Sequence, residues 1–168
     1  MKISSGSSLE IVEIYNKLDN ELKILNPGCD TCGTCCHFDV FDHELYASTI
    51  EVNYILENVK VPPFHKEQRI CPFLVDKECS IREHRTLGCR VFFCNPHYKN
   101  VSYEIYNKYY EMIKKIAVGN RFEWHYGPMI TLLALQNKKE PDDVNHCSPE
   151  TVSNEIEKPV KQRRYPGR

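Results

Sequence analysis

The placement of the cysteines constrains this chain more than any other feature. Eight of its nine cysteines fall in one stretch: Cys29, Cys32, Cys35 and Cys36, then Cys71, Cys79, Cys89 and Cys94. The ninth, Cys147, stands apart. The first four read C-x2-C-x2-C-C. A C-x2-C step puts two sulfurs on the same side of a tight turn, where both can reach one metal atom or two atoms of one cluster. A third cysteine at the same interval extends the wrap. Gly33, inside the block, lets the backbone turn sharply and bring amide N–H groups toward sulfur. The other four lie in Cys71-Pro72-Phe73-Leu74, at Cys79, and in Cys89-Arg90-Val91-Phe92-Phe93-Cys94.

Whether such thiols become disulfides or metal ligands depends on the compartment. Met1 to Glu10 is polar and serine-rich, with no apolar run for a secretory signal. No stretch approaches the roughly 18–20 apolar residues that span a bilayer. The expectation is a protein of the reducing cytoplasm, with no membrane partner and with its clustered cysteines serving as metal ligands. The odd cysteine count also argues against a disulfide framework, and Cys147 reads as an incidental free thiol. A formal net charge of −1 supplies no field that would draw in nucleic acid.

Eight thiols divide into two four-thiolate shells, or into one shell with four accessory cysteines. Adjacent Cys35 and Cys36 point apart most easily. They can serve two centres or two irons of one cluster, and a strained vicinal disulfide is the remaining alternative. Thiolates around zinc or an iron–sulfur core leave a net negative charge, which is costly to bury without donors and cations around it. Arg82, Arg85 and Arg90 lie among the second group of cysteines. Arg85 and Arg90 are expected to support the sulfurs from outside the ligand set, while Arg82 is equally well an ordinary surface residue. His37 and His97 are substitute ligands that eight thiols make unnecessary.

Apolar periodicity predicts a mainly α fold, a few helices packed around cysteine-rich metal-binding loops with little β. A first helix is expected over 8–25, with Ile11, Ile14, Leu18, Leu22 and Leu25 on one stripe and Ser7 and Glu10 as a capping box. A second is expected over 42–59, capped by Asp42 and ended by Val61-Pro62-Pro63. Short β or irregular pieces are expected near 71–75 and 90–93, with a helical turn between them. A third helix is expected over 102–118, with Tyr103, Tyr106, Tyr110, Ile113 and Ala117 on one face. A fourth is expected over 128–137, with Pro128 in its first turn. The organisation is then one metal-binding domain over 1–136, with its cysteine core at about 25–97 and a helical part at 98–136. A polar, flexible tail follows over 137–168, carrying the basic run Lys161 to Arg164.

The same residues resemble a known family. The first block, then Cys71-Pro72-Phe73-Leu74, Cys79-Ser80-Ile81, Arg85 and Cys89-Arg90-x-Phe92-x-Cys94, are similar to the CxxCxxCC (YkgJ-type) cysteine-cluster family, described as zinc- or iron-chelating. The likeness covers about residues 25–97. One departure is Thr86, where the family carries proline after the arginine. Flagellin lysine N-methylases are similar over this region, which implies that the module can support an enzyme. This chain, however, has no glycine-rich segment assignable to S-adenosylmethionine.

Three functions remain. The first is an iron–sulfur protein, 4Fe–4S favoured, that transfers electrons to or senses redox state with an unknown partner. The second is a zinc-stabilised interaction module. The third is an accessory domain of an enzyme such as a methyltransferase. Sequence alone shows no nucleophile–base pair that would make the chain itself an enzyme, and soft thiolates suit both metals.

Overall fold

The computed structural model describes residues 5–40 and 43–137. The fold is mainly α. Helix α1 spans Ser5–Leu25, α2 Thr49–Asn58, α4 Lys99–Gly119 and α5 Met129–Asn137, and a single turn, α3, spans Leu87–Arg90. Two short antiparallel pairs complete it. Strand β1 (Tyr46–Ser48) lies against β4 (Tyr126–Pro128), and β2 (Leu74–Val75) against β3 (Glu78–Cys79). The expected tail from residue 138 onward, Cys147 and the basic run lie outside the described residues, and Asn137 closes α5.

The long helices follow the expected stripes with two adjustments. On α1, Ile11, Ile14 and Leu18 are buried while Leu22 and Leu25 are only partly covered. The helix begins at Ser5, so Ser7 lies within it and does not cap it. On α4 the buried face is Ser102, Ile105, Tyr109, Ile113 and Ala117, one position round from the expected tyrosine stripe. Tyr103 is exposed. Tyr106 and Tyr110 instead meet Trp124 and Tyr126, with Tyr110 5.1 Å from Tyr126 and 5.7 Å from Trp124, ring centre to ring centre.

The second helix differs most from expectation. It starts at Thr49, and Asp42 falls outside the described residues. The cap is Ser48, whose side chain and backbone N–H engage Glu51 in a capping box. The residues just before it are extended because Tyr46 to Ser48 pair with Pro128 to Tyr126. For the same reason Pro128 ends a strand and does not open α5. The β or irregular segment expected near 90–93 is irregular chain over 91–93, and only Arg90 differs, closing the helical turn α3.

Two apolar clusters share α2. Val52 and Ile55 pack with α5 and the cysteine loops, in a group that contains Cys36, Phe38, Cys71, Phe73 and Ile81. Ile50 and Tyr54 join α1, α4 and Leu87 and Val91. The cysteine region is thus built into one of the two cores.

Glu51 ties the elements together. Its buried carboxylate accepts from the Ser48 N–H at 2.8 Å, the Ser48 hydroxyl at 2.7 Å, the Tyr15 hydroxyl at 3.0 Å and the Leu87 N–H at 2.7 Å. One side chain therefore closes the start of α2, anchors α1 and caps α3. A buried carboxylate persists only when it is satisfied in this way.

Candidate metal centre

The two cysteine blocks are far apart in sequence, and a short antiparallel zip joins them. The Phe38 N–H donates to the Arg69 carbonyl at 2.8 Å, and the Cys71 N–H to the Cys36 carbonyl at 2.8 Å. His37 bridges Ile70 between those bonds. Cys36 and Cys71 are thereby neighbours, and both are buried.

A hairpin brings the next thiol. Leu74 pairs with Cys79 in the β2–β3 ladder, the Leu74 N–H donates to the Cys71 carbonyl at 3.1 Å, and Ser80 returns to Phe73 at 2.9 Å. Asp76 and Lys77, the two residues between the strands, both have positive φ, as a tight type I′ turn requires. Gly33 lies directly against that turn. Its φ is +66°, and a β-carbon there would stand 2.2 Å from the Lys77 carbonyl oxygen and 2.7 Å from a Leu74 methyl. The first block can approach the hairpin only because position 33 has no side chain. Cys35 and Cys36 then sit on the short 3-10 turn Thr34–Cys36 that Gly33 opens. Cys89 arrives on α3, whose start Glu51 fixes.

All eight cysteines are free thiols. Cys35, Cys79 and Cys89 are half-buried and pack against the apolar group containing Cys36 and Cys71, whereas Cys29, Cys32 and Cys94 are exposed. The Cys32 sulfur meets the Thr34 hydroxyl at 3.0 Å. Among the described residues no three or more His, Cys, Asp or Glu side chains are arranged to hold a metal ion as they stand. Taking up a metal would therefore require the thiols to deprotonate and the loop side chains to close in.

The electrostatics of the thiols are uneven. Hydrogen bonding with Cys35, Cys71 and Cys79, and then burial, pushes the Cys36 thiol up. Its two neighbours gain accordingly. Cys35 is drawn down to about 6 by the Cys36 hydrogen bond and, against burial, by the charge of Arg85. Cys79 is drawn down to about 6 by Cys36 and, against burial, by the Ile81 backbone and then Arg85 and Arg82. Burial raises Cys29, but the Arg82 hydrogen bond, the Thr31 backbone and the charges of Arg82 and Arg85 outweigh it and leave the thiol below its ordinary value. Burial, followed by the nearby Cys71, pushes Cys89 up to about 12. Cys94 is raised by burial and then by Cys35, Cys32 and Cys29.

The arginines divide differently from expectation. Arg85 faces Cys29, Cys35, Cys79 and Cys89, and its Nε donates to the Arg82 carbonyl at 3.0 Å. Arg82, which sequence reasoning left open between the surface and the sulfurs, hydrogen-bonds Cys29. Arg90, which was expected at the sulfurs, turns its guanidinium to α1. It meets both oxygens of Asp19 at 2.9 and 2.7 Å, donates to the carbonyls of Arg85 and Glu83, and lies 4.2 Å above the Tyr15 ring. A buried guanidinium goes where planar acceptors are, and Asp19 supplies them.

Fold and site together define a helical protein whose loops gather thiols, two of them with lowered pKa values near 6, beside two arginines. That donor set suits a soft, thiophilic metal. A family model described as "CxxCxxCC: Putative zinc- or iron-chelating domain" matches residues 28–113, more than half of the 168-residue chain, and the chain belongs to that family. The match runs past the cysteines and well into α4. Comparison with curated proteins and with solved structures finds no match. Among the described residues no helix is long and apolar enough to cross a membrane.

Proposed function

We propose that this chain is an iron–sulfur protein of the cytoplasm, with Cys29, Cys32, Cys35, Cys36, Cys71, Cys79, Cys89 and Cys94 as its ligands and a redox or electron-transfer role. The observation that carries the reading is the backbone zip and hairpin that set Cys71 beside Cys36 and bring Cys79 onto the adjoining strand, with Cys35 next to Cys36 on the same turn. Four all-sulfur donors from loops of separate blocks suit a polynuclear core, which spreads its ligands over several metal atoms. Arg82 and Arg85 would offset the negative charge of the loaded site. The centre, when bound, supplies an electron at a potential that burial and hydrogen bonds to sulfur set. The chain's own contribution is to hold the thiols, deprotonate some of them and shield the inner ones from water.

Zinc is the second reading, and one observation favours it. Cys36 and Cys71 are part of an apolar core, so a single closed-shell ion there would replace core packing and act as a structural staple. Electron paramagnetic resonance on anaerobically purified protein, before and after dithionite, separates the two. A reduction-dependent iron signal supports the redox role. A silent, colourless, zinc-containing sample transfers the reading to a structural module.

A further inference from the structure

The zip that joins the two cysteine blocks sets Cys36 directly opposite Cys71. His37 pairs with Ile70 in antiparallel sense, the Phe38 N–H donates to Arg69, and the Cys71 N–H donates to Cys36. One step along such a pair from His37 and Ile70 stand Cys36 and Cys71. Successive side chains leave the pair on opposite faces. Ile70 is 41% exposed, whereas Cys36 and Cys71 are each 6% exposed, so the two thiols leave the inner face together.

Opposed residues of an antiparallel pair have α-carbons about 4.5–5.5 Å apart. That lies within the range of about 4.4–6.8 Å that a disulfide spans. The other neighbours of Cys36 fit a disulfide less well. The α-carbons of adjacent residues such as Cys35 and Cys36 are held about 3.8 Å apart, below that range. Cys79 stands opposite Leu74 in its own hairpin, and Cys89 lies on the helical turn α3.

We propose that Cys36 and Cys71 form an oxidation site, a dithiol that hydrogen peroxide converts to an internal cross-strand disulfide and that a thiol reductant restores. One sulfur attacks the peroxide, the O–O bond breaks and water leaves, giving a sulfenic acid. The second sulfur attacks the first, the S–O bond breaks and a second water leaves. Two thiols and one peroxide thus give one disulfide and two waters. The sulfurs lose two electrons to the peroxide oxygens, and both thiol protons end in water. The oxidant is close to water in size and reaches the buried pair through local opening of the loops.

The bond ties the two cysteine blocks covalently, which stabilises the fold without a metal by restricting the unfolded chain. In a reducing compartment such a bond is transient and reports oxidant. It also takes two of the eight proposed ligands out of use. That last consequence rests on the metal reading above, and the bond itself does not.

The test uses the full-length chain, stripped of metal by chelator under reductant, freed of both and given about one equivalent of hydrogen peroxide. After alkylation and trypsin digestion, fragmentation in the mass spectrometer should find the peptide 70–77 linked through Cys71 to Cys36, and dithiothreitol should release it. The oxidised protein should melt at least about 5 °C above the reduced, metal-free protein, and Cys71→Ser should show no such rise. Since that variant can also fail to fold, the linkage in wild type decides. Linkage of Cys36 mainly to Cys35 or Cys79, linkage of Cys71 mainly to another cysteine, or no linkage overturns the oxidation site and leaves metal binding by this chain intact. Linked protein should then take up iron or zinc at least tenfold less than reduced protein. Equal uptake by the two would leave the oxidation site standing and remove Cys36 and Cys71 from the ligand set.

Discussion

The backbone N–H of Cys71 donates to the carbonyl of Cys36 at 2.8 Å, and that bond joins the two halves of the cysteine region. It makes neighbours of thiols that sequence separates widely. Everything proposed about the site depends on the loops around this bond keeping their shape.

Gly33→Ala tests that dependence. The new methyl would meet the Lys77 carbonyl at 2.2 Å, and the residue would have to hold a φ of +66°. Left-handed backbone costs a non-glycine residue about 1–2 kcal/mol before any clash. We expect a loss above about 2 kcal/mol together with reduced metal content. Retention of both the thermal midpoint and the metal would show that the hairpin does not support the first block.

Arg85 and Arg90 should behave differently. Arg85→Gln removes a cation that faces four thiols, and loaded protein should lose metal to a chelator about tenfold faster. Arg90→Gln breaks the clamp on Asp19. It should cost about 2–3 kcal/mol of stability, somewhat below the figure for a fully buried pair because Asp19 is 41% exposed. Its metal per folded chain should stay at the wild-type value. Equal acceleration of metal loss in the two variants would put Arg90 back at the sulfurs.

Glu51→Ala strands the Tyr15 hydroxyl and the N–H groups of Ser48 and Leu87. Each buried donor left alone costs about 1–3 kcal/mol, so the variant should be among the most destabilised available. Glu51→Gln keeps one acceptor oxygen but turns its NH2 toward the donors that met the other, so it should lose less than alanine yet stay clearly below wild type. Thermal midpoints of the two variants, compared under one condition, check this, and a mild Ala variant would remove Glu51 from its central position.

Thr86 follows Arg85 and caps the start of α3. Its φ is −67° and that of Arg85 is −61° with ψ 145°, values that a proline and its preceding residue adopt without strain. Its buried hydroxyl makes no hydrogen bond of normal geometry, with only the Cys89 sulfur as a weak neighbour. Thr86→Pro should therefore stabilise the protein by about 0.4–1 kcal/mol through the unfolded chain. A lowered midpoint would contradict it.

These residues also show where sequence reasoning works. The helices α1 and α4 were legible because Ile11, Ile14 and Leu18, and Ile113 and Ala117, recur at the helical interval and are buried. The tyrosine stripe misled by one position, since Tyr106 and Tyr110 are amphipathic and pack sideways on Trp124 and Tyr126. The start of α2 was missed although Ser48-Thr49-Ile50-Glu51 carries the capping signal. Apolar periodicity over 42–59 masked it, and the partner strand at 126–128 is remote. The concentration of cysteines was legible in the sequence, whereas the backbone zip that sets Cys71 beside Cys36 was not. The direction of each arginine was not, because it depends on Asp19, a residue of α1 that nothing in the cysteine motif announces.

The most direct test of the central claim is metal and acid-labile sulfide analysis, with a visible spectrum, on untagged protein purified without oxygen. The account predicts iron with matching sulfide and an absorbance near ~400 nm. A colourless sample holding zinc in place of iron would contradict the redox reading, and folded, reduced protein with neither metal would contradict the metal site itself.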